Sequence, residues 1–170
     1  MDNIILIGFM GVGKGSVARE VVKQSKMVAV DTDDIIESME NRRIKRIFEE
    51  EGEAYFRRLE RQVAKWLQKS VTDTLISTGG GFYKVPHLNK IGTVVLLHAE
   101  FDTIYQRIID HPNAAQKLKK RPLFQDIDAA RALYDEREKA YFKQADIVID
   151  VTDKTVEKIA KELLKKVKKQ

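Results

Sequence analysis

The stretch GFMGVGKGS, Gly8–Ser16, decides how the rest of the chain is read. It nearly completes the pattern G-x-x-x-x-G-K-S/T, whose backbone N–H groups cradle phosphate and whose last hydroxyl reaches Mg²⁺. Gly8, Gly13 and Lys14 fall in register, but Gly15 stands where the hydroxyl belongs, and Ser16 supplies one a residue late. The apolar run NIILIG (Asn3–Gly8) precedes the loop, and a helix is predicted from Lys14 to about Ser25. Strand, loop and helix in that order are the context a phosphate loop requires. The N–H groups of Gly11, Val12, Gly13, Lys14, Gly15 and Ser16 can converge on one anion at the positive end of that helix. Ser16 lies about 100° further round the helix than Gly15. It therefore cannot replace the missing hydroxyl, and a water is expected at the Mg²⁺ position instead.

Composition narrows the classes of function. A chain of 170 residues fits one domain, 1–170, with a sizeable core. Hydrophobic residues at 43% and charged residues at 34% suit a globular protein. With no cysteine, disulfides and thiolate metal sites are excluded. No apolar run approaches the ~20 residues of a membrane span. The N-terminal apolar run, cut short by Lys14, reads as a buried strand and not a signal peptide, and a cytoplasmic location is expected. Seven Lys and two Glu between Lys154 and Gln170 account for the whole net charge of +5. That excess reads as the solvated face of a final helix, so no nucleic-acid or membrane partner is expected. His87, His98 and His111 are not spaced as metal ligands, and no role is assigned to them.

Further apolar runs follow at MVAVD (Met27–Asp31), TLIST (Thr74–Thr78), TVVLLHA (Thr93–Ala99) and DIVIDV (Asp146–Val151). They lack strict alternation, as do strands buried on both faces. Helices are predicted between them: near Asp33, at about Glu53–Lys69, Asp102–Asp110, Ile127–Lys143 and Lys154–Lys168, with a short one opened by Pro86. In Glu53–Lys69, Phe56, Leu59, Val63, Trp66 and Leu67 share one face at helical spacing. Strand alternating with helix predicts an α/β fold, a parallel sheet with helices on both sides. The segment of about 111–126 has two prolines, four cations and little periodicity, and reads as a long loop acting as a mobile lid.

Candidate functional residues cluster near predicted strand ends, where ligands of open α/β sheets gather. Asp31 and Asp33, in DTD, can divide labour between a metal and a substrate hydroxyl. Gly79, Gly80 and Gly81, in STGGG, predict a flexible backbone turn facing an anion. In GEAYFRRLE, Glu60 lies three residues after Arg57 and can brace its guanidinium for a bidentate grip on a carboxylate. Arg121, in KKRPLF, can close a cation over a transferring phosphoryl group. Arg137 falls in YDEREKAY on the helix after the lid.

Taken in order, GFMGxGK, DTD, GE-x-x-FRR-x-E, TGGG, RPL and R-E-x-x-Y resemble the shikimate kinase family from Asn3 to about Asp150. The resemblance implies a three-layer P-loop kinase fold with a five-stranded parallel sheet in the order 2-3-1-4-5. It implies ATP-dependent phosphorylation of the 3-hydroxyl of shikimate, with Mg²⁺; a monomer is expected. It assigns Lys14 to the phosphates and Asp31 to Mg²⁺ through water. Asp33 goes to the shikimate hydroxyls and to base catalysis, and Arg57 and Arg137 to the carboxylate. Gly79–Gly81 lie along shikimate and the γ-phosphate, and Glu60 braces this region of about 33–61. Arg121 belongs to the phosphates, and Lys154 approaches the adenine. The family usually has Ser or Thr at Gly15 and an arginine several residues before RPL, where this chain has Lys117, Lys119 and Lys120. Two alternatives stay open: another small-molecule kinase of this fold, of gluconate or nucleoside-monophosphate type, and a nucleotide-binding regulator impaired by Gly15.

Overall fold

The apolar runs become the strands of one parallel sheet. In the computed structural model, which describes residues 2–169, these are β1 (Asn3–Ile7), β2 (Val28–Asp31), β3 (Thr74–Ser77), β4 (Gly92–His98) and β5 (Ile147–Asp150). Their order is β2-β3-β1-β4-β5 and every pair is parallel. The three central strands are buried along most of their length, which explains their unbroken Ile, Val and Leu. The edges differ. Val28 on β2 is exposed, and β5 alternates buried Ile147 and Ile149 with exposed Val148 and Asp150.

Parallel pairing brings all the strand ends to one side of the molecule. Asp31 pairs with Ser77, Ile7 with Leu96 and His98 with Asp150. The phosphate loop runs from the end of β1 into α1 (Lys14–Gln24), which packs on α8 (Val156–Val167) through Val17, Val21, Ile159 and Leu163. Beyond β2, α2 (Thr32–Glu40), α3 (Ile44–Glu51) and α4 (Glu53–Ser70) pack on one another. The side of the sheet at β4 receives α7 (Ile127–Gln144), after α5 (Phe101–Ile109). Helix α8 starts after Thr155, whose hydroxyl accepts from the Lys158 N–H, so Lys154 lies outside it.

Three expectations are corrected. The segment predicted as a loop contains α6 (Ala114–Lys119) and a 3₁₀ turn at Pro122–Gln125. Helix α6 is too short to display apolar periodicity. Phe124 anchors the segment, buried against the rings of Phe9, Phe101 and Tyr105. Trp66 is not on the buried stripe of α4; it is 46% exposed while Phe56, Leu59, Val63 and Leu67 are buried. It lies about 100° from Leu67 round the helix, just past the edge of the stripe. Pro86 does not open a helix: the 3₁₀ turn is Leu88–Lys90, after His87 at φ 60°.

Candidate active site

The phosphate loop is built around its lysine. Gly13 sits at φ 101°, and a side-chain carbon there would meet nothing within 4 Å, so backbone angle alone requires glycine. The Lys14 ammonium is buried and donates to the carbonyls of Gly8 at 2.6 Å and Phe9 at 3.2 Å. Burial pushes its pKa down to about 8, against the pull of Asp33 and Asp31. A cavity of about 270 Å³ opens here, lined by Gly11, Gly13, Lys14, Gly15, Ser16, Asp31, Asp33, Gly79, Gly80 and Arg121. A second, of about 290 Å³, shares Gly11, Gly13, Ser16 and Arg121 with it and extends to Val12, Arg107, Lys117, Val156 and Ile159. Arg121 thus borders both, half-buried and with its pKa lowered by burial.

Asp31 caps α2, its Oδ1 accepting from the N–H groups of Asp33 and Asp34. Its other oxygen has no hydrogen bond among the described residues. Asp33, in the first turn of the helix, is driven by burial, and then by the charges of Asp31 and Glu60, up to about 7. Arg57 donates to Glu60 at 2.5 Å and to Glu53 at 3.3 Å. Burial lowers the guanidinium's pKa, but these two carboxylates outweigh it and hold the value above its ordinary position. Glu60 is almost wholly buried, which raises its pKa despite Arg57.

The three glycines after β3 explain how these side chains fit together. A side-chain carbon on Gly79 would lie 2.7 Å from Asp33 Oδ1, and one on Gly80 would lie 2.8 Å from Arg137 Nη1. On Gly81 it would overlap the Arg57 guanidinium. None of the three has a positive φ. The flexible turn expected from the sequence is instead a turn stripped of side chains, with one polar partner seated against each glycine. The Tyr141 hydroxyl donates to the Gly80 carbonyl at 2.6 Å and holds the turn in place.

Among the described residues, the buried side-chain atoms left without a hydrogen-bond partner are Asp33 Oδ1, Glu60 Oε2 and Arg137 Nε. Buried polar atoms are nearly always paired in folded proteins. All three belong to residues grouped here from α2, α4 and α7, two acceptors and one donor beside the phosphate loop. The chemistry they can perform is to hold a small polar anion and draw a proton from one of its hydroxyls.

Of the residues singled out from sequence, Lys14, Gly15, Ser16, Asp31, Asp33, Gly79, Gly80 and Arg121 share the first cavity, with Arg57, Glu60, Gly81 and Arg137 packed around the same turn. Lys154 does not line either cavity; its ammonium is bonded to Glu162 at 2.8 Å. Sequence reasoning missed Tyr141, Arg107 and Arg19. Tyr141 and Arg19 each sit four residues after a residue already suspected, Arg137 and Gly15, and helical spacing is the signal that could have found them. His98, Glu100 and Glu138 bring possible ligand atoms within 4.8 Å of one another. One Glu138 oxygen there is already bonded to both His98 and the Tyr134 hydroxyl, tying β4 to α7.

A family model described as shikimate kinase matches residues 10–168. A shikimate kinase of Helicobacter hepaticus is 41% identical over 150 residues, covering 88% of this chain and 87% of that protein. One of Lactococcus lactis subsp. cremoris is 40% identical over 169 residues, covering 96% and 97%. The crystal structure of shikimate kinase from Aquifex aeolicus superposes with a TM-score of 0.77 at 32% identity, covering 98% of this chain and 96% of that one. Shikimate kinase from Acinetobacter baumannii in complex with shikimate gives 0.76 at 27%, covering 99% and 94%. A gluconokinase from Sinorhizobium meliloti, at 12% identity and a TM-score of 0.55, shares the fold alone. On its sequence, its strand order and these relatives, the chain belongs to the shikimate kinase family.

Proposed function

We propose that this chain transfers the γ-phosphoryl group of ATP to the 3-hydroxyl of shikimate, on the route to chorismate and the aromatic amino acids. The observation that carries this reading is the set of buried, partnerless polar atoms on Asp33, Glu60 and Arg137 around the glycine turn. A hydroxylated carboxylate suits them. Arg57 and Arg137 grip its carboxylate, with Glu60 bracing Arg57, and Asp33 reads its hydroxyls. Gly79, Gly80 and Gly81 lie along its ring. A nucleoside monophosphate offers no carboxylate to two arginines. Gluconate does, and remains the rival to exclude by assay.

In the transfer, the shikimate oxygen forms a bond to the γ-phosphorus while the bond to the β,γ-bridging oxygen breaks, releasing ADP. The hydroxyl proton passes to Asp33, whose raised pKa suits a base working near neutrality. Lys14 and Arg121 absorb charge on the phosphates, and the backbone N–H groups from Gly11 to Ser16 orient them. Arg121 lies in the segment 111–126, which closes over the nucleotide and excludes water. Lys154 would have to leave Glu162 to approach an adenine.

The donors present fit Mg²⁺: the unbonded oxygen of Asp31 is a hard ligand, and the space over Gly15 admits water. Bound with ATP, Mg²⁺ would shield phosphate charge. We take the protein to be a single domain acting as a cytoplasmic monomer. No helix among the described residues is long and apolar enough to cross a membrane. ADP release measured with shikimate, gluconate and AMP, each across a Mg²⁺ titration, tests the assignment. Turnover with shikimate alone supports it. Turnover with another acceptor, or ATP binding without transfer to any, replaces it with the gluconate-type kinase or the regulator.

A further inference from the structure

Gly15 leaves one position in the first turn of α1 without a side chain, and one group comes close to the space this opens. A side-chain carbon at Gly15 would meet only the Arg19 Nη1, at 3.5 Å. Residues 15 and 19 are i,i+4 neighbours, so their side chains lie one above the other on the same helix face. Helical side chains lean towards the N-terminus, which carries the guanidinium back over the phosphate loop. Arg19 lines the 270 Å³ cavity together with Lys14, Asp31, Asp33 and Arg121. Its hydrogen bond goes to the Ser16 hydroxyl at 3.3 Å, and it forms no ion pair among the described residues. Its guanidinium is turned towards an anion site, beside the position where a hydroxyl would otherwise have served the metal.

We infer that Arg19 is a phosphate-binding residue for the nucleotide, supplying part of the charge compensation that a hydroxyl at position 15 would have provided through the metal. The inference rests on the reading of Gly8–Ser16 as a nucleotide phosphate loop. Guanidinium matches phosphate oxygens in geometry and remains charged at every physiological pH. Its attraction needs no metal, so its share of nucleotide binding is largest when Mg²⁺ is scarce.

Calorimetric titration of ADP into wild type, Arg19→Gln and Arg19→Lys, with EDTA and then with excess Mg²⁺, tests this. Arg19 is exposed, so either variant should fold. Loss of one charge-assisted bond to phosphate predicts that Arg19→Gln weakens ADP about tenfold in EDTA and less with Mg²⁺. Arg19→Lys should recover part of the loss, with shikimate binding and melting temperature unchanged. Gly15→Ser combined with Arg19→Gln should lose less affinity in excess Mg²⁺ than Arg19→Gln alone. ADP binding to Arg19→Gln as tight as wild type in EDTA overturns the inference. So does an equal weakening of ADP and shikimate with a lowered melting temperature, which marks a merely structural role. No ADP binding by wild type in either buffer would overturn the phosphate-loop reading itself.

Discussion

Replacing Gly81 by alanine should damage the acceptor site while sparing the fold. The backbone at Gly81, φ −100° and ψ 1°, is the third position of a turn closed by the Phe82 N–H on the Gly79 carbonyl, a conformation most L-residues adopt, so the change brings little conformational strain. The new methyl group, however, occupies the place of the Arg57 guanidinium. That group is the far end of a flexible side chain and can swing aside. In doing so it gives up Glu60 at 2.5 Å and the face of Phe56 at 5.3 Å, and with them its aim at a bound carboxylate. Hydrogen bonds between charged partners contribute about 1.5–3 kcal/mol. At about 1.4 kcal/mol per factor of ten, that is a roughly 10- to 150-fold rise in the shikimate KM. The ATP KM should hardly change, while the melting temperature should fall, because buried Glu60 loses its partner. Arg57→Ala should match the effect, and the double variant should be no worse than the worse single one, because each removes the same contact. Steady-state kinetics on the four proteins, varying each substrate in turn, measures this. Additive losses, or an ATP KM that rises as far as that for shikimate, would refute the one-to-one fit of glycine to side chain.

Asp33→Asn should abolish turnover yet stabilise the protein without ligands. With its pKa pushed up to about 7 from 3.8, folded Asp33 keeps a proton that the unfolded chain sheds. Stability is therefore lost as pH rises from about 4 to about 7, with a ceiling of about 4 kcal/mol at 1.36 kcal/mol per unit, reduced by the cavity's access to water. The melting-temperature advantage of the Asn variant should widen between pH 5 and pH 7.5; an advantage that shrinks would contradict the buried, partnerless carboxylate. Gly15→Ser meets no backbone strain and no neighbour closer than Arg19 at 3.5 Å, so the hydroxyl can be accommodated. It should lower the Mg²⁺ concentration for half-maximal rate, and an unchanged Mg²⁺ dependence would disprove the water-filled position.

The strand pattern was legible because the central strands are buried on both faces and carry uninterrupted Ile, Val and Leu; their ends follow the apolar runs to within a residue or two. Trp66 misled because it lies one helical step from the buried stripe, a difference that periodicity cannot resolve without the partner surface. The helix in the segment 111–126 was hidden by its shortness. At the site, Asp33 and Arg57 could be singled out as residue types and Arg137 only through the family resemblance, and the structure brings them together. What the sequence could not show is the pairing of each glycine with one of them, since that depends on contacts between α2, α4, α7 and the turn after β3. Arg19 and Tyr141 went unnoticed for a related reason. On a helix, a single Arg or Tyr looks the same whether it faces solvent or leans into a cavity. Lys154 was placed near the nucleotide by its position after β5, but Glu162, eight residues on, captures its charge in this structure.

The central claim is that a phosphate loop lacking its metal-binding hydroxyl still serves phosphoryl transfer to one hydroxyl of one acceptor. Phosphorus and proton NMR of the product formed from ATP, Mg²⁺ and shikimate tests it most directly. A single new phosphate ester coupled to the proton on carbon 3, formed together with ADP and absent with the Asp33→Asn protein, is the predicted result. Free phosphate in place of an ester, or an ester on a different hydroxyl, would contradict it.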